Sequence, residues 1–185
     1  MAQQPLKQIV VRARPGRPTQ GWLLADGQAI PVALGRGGIR ANKREGDGST
    51  PRGRFHPVRL WWRADRLSRP RTGLPVRAIR PGDGWCEDPQ DRRYNQPVHV
   101  PAQSSADRLT RADALYDLII EIDHNTRPRV AGRGSAVFVH IARPAFAPTA
   151  GCVALTRPAL QRLLARIGPG TAIEIGIDNR PVTNR

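Results

Sequence analysis

The sequence predicts a mainly β, α+β domain with one or two helices. Two observations carry that expectation. Gly and Pro number 18 each in a chain of 185 residues, which excludes a long helical bundle because both are poor helix formers. Short apolar runs bounded by turn residues recur along the chain, while residues Arg157 to Ile167 alone show a clear helical period.

The elements follow in order. Residues 6–13, 20–24 and 28–34 read as strands, the last two joined by Asp26-Gly27, a hairpin signal. A long loop of turn residues, 35–53, leads into a strand over 54–62. Residues 63–116 carry Pro70, Pro75, Pro81, Pro89, Pro97 and Pro101 and read as an irregular, Pro-rich insert with a short helix over 105–116. Its Trp85, Cys86 and Tyr94 argue for packing rather than disorder, and Trp85, Tyr94 and Asn95 are expected to form a lid or one wall of a cleft. Strands are expected over 117–123, 135–141 and 171–177. Between the last two, Leu160, Leu163, Leu164 and Ile167 fall on one helix face, with Thr156 as N-cap, Pro158 in the first turn and Gly168-Pro169-Gly170 as the stop. The length fits a single domain over 1–185.

The net charge is +15 and the pI about 11.6, so an anionic partner is expected. Apart from Lys7 and Lys43, every basic residue is arginine. Nucleic acid is not the expected partner. The arginines are scattered, aromatics are only 5%, and no helix-turn-helix, RNP or zinc-finger pattern occurs. The planar guanidinium suits carboxylates equally well. No apolar stretch is long enough for a membrane span. Between Lys7 and Arg12 lie only Ile9-Val10-Val11, too little for an export signal, which by itself points to the cytoplasm.

Chemistry concentrates between Val137 and Leu155. A strand delivers His140, and Thr149-Ala150-Gly151-Cys152 follows a loop holding Pro144 and Pro148. A thiol needs a base or a positive neighbour to become a nucleophile, and His140 is the nearest base in the sequence. Gly151 would let substrate approach the backbone, whose N–H groups could hold an oxyanion. The alternative is a buried structural cysteine beside a core histidine. Asp123-His124-Asn125 could orient a catalytic group or bind substrate, or form an ordinary turn. A zinc site from Asp123, His124, His140 and Cys152 lacks any tight CxxC or HxxxH spacing, so no metal is expected. His56 and His99 read as structural, and the loop 35–53 has no phosphate-binding frame. Cys86 and Cys152 are too few for a disulfide scaffold, although spacing alone leaves a bond between them open.

Three stretches together resemble the YkuD-type L,D-transpeptidase catalytic domain. Lys43 to Phe55, with Gly46, Asp47, Thr50, Pro51 and Gly53, is similar to the family's K-x-x-G-D-x-x-T-P-x-G-x-F loop. His140 lies on a strand after Gly134-Ser135-Ala136, and Thr149-Ala150-Gly151-Cys152-Val153 is similar to the family's S/T-H-G-C core. This chain has Ala150 where the family usually has His, and Ala154 where it usually has Arg. The resemblance implies a β-rich catalytic fold with Cys152 as nucleophile and His140 as base. It implies an oxyanion hole at Gly151, and a substrate surface in which Thr149, Tyr94 and either His124 or Asn125 take part, these last replacing the contact that Ala150 lacks.

The implied reaction is acyl transfer on peptidoglycan stem peptides through a Cys thioester, giving 3–3 crosslinks. With water as acceptor it becomes L,D-carboxypeptidase activity, the sensible outcome in a cytoplasm. The resemblance also implies a cell-envelope location and no cofactor, and a monomer is expected. A rival reading is a basic, non-catalytic binding module with an inert cysteine. A depressed Cys152 pKa would favour the enzyme, and an inert buried thiol the module.

Overall fold

The computed structural model describes residues 4–100 and 107–177. Strands β1 (Gln8–Arg14), β2 (Arg17–Ala25) and β3 (Gln28–Ala33) form an antiparallel meander. Asp26 and Gly27 turn with φ of 48° and 74°, the two positive φ values that a two-residue type I′ hairpin requires. Two short strands, β4 (Ile39–Arg40) and β5 (Thr50–Pro51), pair in parallel inside the Gly-rich loop. The single strand expected over 54–62 is split at His56 into β6 (Gly53–Phe55) and β7 (Pro57–Trp62).

The insert is more ordered than its prolines suggest. It contributes β8 (Val76–Ala78), and β9 (Asp83–Trp85), β10 (Pro97–His99) and β11 (Asp107–Arg108) form a small three-stranded sheet. The helix expected over 105–116 is absent from 107–116, and 105 and 106 lie outside the described residues. Asp107 and Arg108 pair instead with Trp85 and Gly84, and Asp113 Oδ1 accepts the Leu115 N–H in a local turn. Such side-chain bonds compete with helix formation.

The C-terminal third supplies β12 (Leu118–Ile122), β13 (Phe138–Ile141), β14 (Val153–Leu155), helix α1 (Arg157–Leu164) and β15 (Ala172–Ile175). The helix stops short of Ile167, and Arg166 N–H instead closes onto the Leu163 carbonyl. Thr156 stands at the N-cap with extended backbone, but its side chain makes no cap bond.

The main sheet has ten strands in the order β6-β15-β1-β2-β3-β14-β13-β12-β7-β8. Strands β6 and β7 are separated only by His56, yet lie near opposite ends of that order. The sheet must therefore curl until its ends nearly meet. Asp123 clasps the junction: its carboxylate accepts the His56 N–H at 2.7 Å, and its own N–H donates to the His56 carbonyl. One apolar cluster holds Ile9, Leu23, Leu60, Ile120 and Val139 together with Leu160, Leu163 and Leu164 of α1. A second, on the opposite face of β12 and β13, joins Trp61, Trp85, Ile119 and Phe138 to Cys152. The insert thus covers the face that carries Cys152.

Candidate active site

Parity places the two candidate catalytic residues. Strands β13 and β14 run parallel, with Val139 opposite Val153 and His140 opposite Ala154. Side chains alternate faces along a strand. Val139 and Val153 enter the first apolar cluster, so Phe138, His140, Cys152 and Ala154 share the other face. Cys152, just before β14, lies beside Phe138, whose N–H donates to Sγ at 3.3 Å. Parallel neighbours need a crossover, and the segment 142–152 is that crossover. It carries a 3₁₀ turn, Pro144–Phe146, in which Ala145 and Phe146 hold φ of 56° and 52°.

Both residues open onto one cavity of about 560 Å³, lined also by Tyr116, Thr149, Arg111 and Arg143. Their side chains are nearly buried, Cys152 at 7% and His140 at 6% exposure. The thiol donates to the Ala136 carbonyl at 3.2 Å. His140 Nδ1 lies 2.9 Å from the Ile141 carbonyl, and a carbonyl only accepts, so Nδ1 carries the proton and Nε2 keeps its lone pair. A run of edge-to-face rings, Trp61–Trp85–Phe138–Tyr116–His140, holds the imidazole, with Tyr116 and His140 centroids 5.4 Å apart.

Burial sets the protonation states. It brings the His140 imidazole down to about 4, with the Arg111 and Arg143 charges pushing the same way. It pushes the Cys152 thiol up to about 12, against donation from the Phe138 N–H. The resting pair is therefore a neutral thiol and a neutral imidazole. By the thiol criterion alone this is the inert case. The imidazole on the same face is what the criterion leaves out.

Gly151 meets the Gly-rich loop. Its φ is +142°, and a Cβ there would lie 2.8 Å from the Ser49 carbonyl oxygen. Gly35 forms a parallel bridge with Thr149, and Arg36 N–H donates to the Thr149 carbonyl. Two of the three stretches that carry the sequence resemblance thus touch. Within the loop, Asp47 accepts from Lys43 Nζ, Arg44 N–H and Ser49 N–H, each at 2.7 Å. Partial burial opposes ionisation of Asp47, yet these donors hold its carboxyl well below the usual range. Lys43 is buried against Gly134 and Gly151.

Thr149 acts on the backbone. Its hydroxyl donates to the Cys152 carbonyl at 2.7 Å and accepts the Gly151 N–H at 3.1 Å. The Gly151 N–H is therefore occupied in the resting site rather than open to an oxyanion.

Tyr94, His124 and Asn125 stand behind the thiol rather than in the cavity lining. Tyr94 Oη donates to Glu45 and accepts the Gly134 N–H. His124 Nε2 bonds the Arg133 carbonyl, and burial lowers its pKa. The Asn125 amide donates to the Val130 and Gly134 carbonyls. Trp85, Tyr94 and Asn95 are buried and none of them lines the cavity, so they are neither its lid nor its wall but packing beneath it. Asn95 takes a larger part than the sequence suggested. It donates to the His124 and Asn125 carbonyls and accepts from Trp85 Nε1 and Ala136 N–H. Ala136 in turn receives the thiol.

Sequence reasoning missed Tyr116, Arg111 and Arg143, which no local pattern separates from their surroundings. Cys86 and Cys152 are both free thiols. Among the described residues, no three His, Cys, Asp or Glu side chains converge as metal ligands, and no helix is long and apolar enough to cross a membrane.

Comparison with known proteins finds a solved structure and a family model that match. The chain is similar to L,D-transpeptidase 1 of Mycobacterium tuberculosis, at 15% identity and a TM-score of 0.39, over 92% of this chain and 61% of that one. It thus spans about three fifths of that protein's length. No curated protein matches. A family model for the L,D-transpeptidase catalytic domain matches residues 8–175, a stretch that takes in the Gly-rich loop, His140 and Cys152. By that match the chain belongs to the YkuD family of L,D-transpeptidase catalytic domains.

Proposed function

We propose that the protein is a cysteine acyltransferase acting on peptidoglycan stem peptides, with Cys152 as nucleophile and His140 as base. One observation carries this reading. A thiol and an imidazole with a free Nε2 lone pair share one face of adjacent parallel strands and open onto one cavity.

Because the resting pair is neutral, the thiolate forms as substrate is attacked rather than beforehand. Sγ attacks the carbonyl carbon of the third stem residue of a tetrapeptide while its proton passes to His140 Nε2. Collapse of the tetrahedral adduct breaks the peptide bond, and the terminal D-alanine leaves as its amine with that proton. A thioester on Cys152 remains. The amine of a second stem then attacks the thioester, gives a proton to His140 and releases the 3–3 crosslink, and the thiol regains the proton. Water in place of the amine gives a tripeptide. For Gly151 to serve the adduct's oxyanion, its N–H must exchange the Thr149 hydroxyl for it. A wall substrate puts the working compartment in the cell envelope.

The test is mass spectrometry after incubation with a disaccharide tetrapeptide, with Cys152→Ala as control. Crosslinked dimer or tripeptide that depends on Cys152 is the expected result, and dimer identifies the transpeptidase. Absence of any Cys152-dependent product returns the chain to a binding module.

A further inference from the structure

The chain carries no cation at position 154, where the family it resembles usually has Arg. Ala154 is fully buried in β14, opposite His140 on one side and Ala33 on the other. The cavity is basic all the same: Arg111 of the insert, Arg143 of the crossover and Arg36 of the Gly-rich loop line it, with Asp107 as the acid among the lining residues. Arg111 is fixed in place. Its Nε and Nη2 donate to Asp113 at 2.9 and 2.7 Å, and its guanidinium lies 5.0 Å from the Tyr116 ring centre. Nη1 lies 3.9 Å from Asp107, which also lines the cavity. Arg143 sits at the entry of the strained 3₁₀ turn, and among the described residues it makes no ion pair. Both charges reach the imidazole, since both hold its pKa down.

Resting on the function proposed above, we infer that Arg111 and Arg143 form a clamp for the free terminal carboxylate of the donor peptide. In the leaving D-alanine that carboxylate is joined to the scissile nitrogen through a single carbon. A cation on the cavity wall that holds Cys152 and His140 is therefore within its reach. The fork of the Arg143 guanidinium matches a carboxylate with two parallel bonds, which selects a free acid over an amide, while Arg111, whose Nε and Nη2 serve Asp113, offers Nη1. Asp113 holds Arg111 in position, and Asp107 faces it at 3.9 Å.

The experiment compares a tetrapeptide ending in D-alanine with its C-terminal amide. Binding of each to the Cys152→Ala protein is measured by calorimetry at two salt concentrations, and turnover is measured with the wild type. The expected result is at least tenfold tighter binding of the acid, weakened by salt. In Arg143→Gln the ratio of acid to amide falls toward unity, and Arg143→Lys restores it in part. Arg111→Gln does the same, and Arg143, being exposed, gives a variant that does not depend on the Asp113 contact. Equal binding of acid and amide overturns the clamp, as does an undiminished preference in Arg143→Gln and Arg111→Gln. A salt-sensitive preference for the acid without any Cys152-dependent product supports the clamp and sinks acyl transfer.

Discussion

At the scale of single residues, the site is built from groups kept neutral by burial. His140 is buried and its imidazole titrates at about 4, against an ordinary value near 6.5. Between those values the unfolded chain binds the proton and the folded chain does not. Stability therefore rises with pH through that window and is lost as pH falls through it. Cys152 works at the other end. The folded thiol keeps its proton up to about 12, whereas an unfolded one loses it from about 9, so stability falls as pH rises beyond 9. The acid limb of kcat/KM should follow His140 and lie near pH 4 rather than 6.5. A pH–rate profile with a limb at the ordinary histidine value would show that another base does the work. Alkylation of Cys152 by iodoacetamide at pH 7 should likewise be at least tenfold slower than that of a free thiol, because only the thiolate reacts.

At the scale of elements, the packing behind the thiol hangs on Asn95, which uses both ends of its amide. Asn95→Ala leaves the Trp85 and Ala136 N–H groups without partners. The expected loss is about 2–3 kcal/mol by urea unfolding, with reduced kcat as the Ala136 carbonyl loses its place beside Sγ. This element was hard to read in advance for a physical reason. Strands β9 and β10 are three residues each, β10 opens on Pro97, and Gly84 sits inside β9, so no alternation marks them. Their order comes from Trp85 packing on Trp61 and Phe138, a contact between distant parts of the chain. The same tertiary pairing drew Asp107 and Arg108 out of the expected helix. By contrast, the β2–β3 hairpin was legible because Asp-Gly has a local backbone preference that the turn needs. Cys152, His140 and Gly151 stand out as candidates in the sequence because the chemistry proposed for them is tied to residue type. Arg111 and Arg143 do not, being two among many arginines whose difference lies only in where the fold puts them.

At the scale of the whole molecule, one buried carboxylate links three regions. Asp117, just before β12, accepts from Arg66 of the insert at 2.8 Å and from Arg157 at the start of α1 at 2.7 Å. Asp117 is buried while both partners remain partly exposed, so removing the acid strands two cations that water reaches in part. Asp117→Ala is expected to cost about 2–4 kcal/mol, read as a lowered urea midpoint with an unchanged slope. No loss would mean that the β7–β8 pairing and the aromatic packing fasten the insert to the sheet without it.

The near-closure of the sheet at His56 bears on which donors fit. A ribbon whose ends are stitched through one residue cannot flatten or spread without tearing the clasp at Asp123. The floor under Cys152 and His140 is thus a stiff frame. Adjustment to a bulkier peptide has to come from the rim, from the 35–53 loop and the 142–151 crossover. On the acyl-transfer reading proposed above, exchange of those two loops would retune the size of the donor while the frame kept the thiol and the imidazole in step.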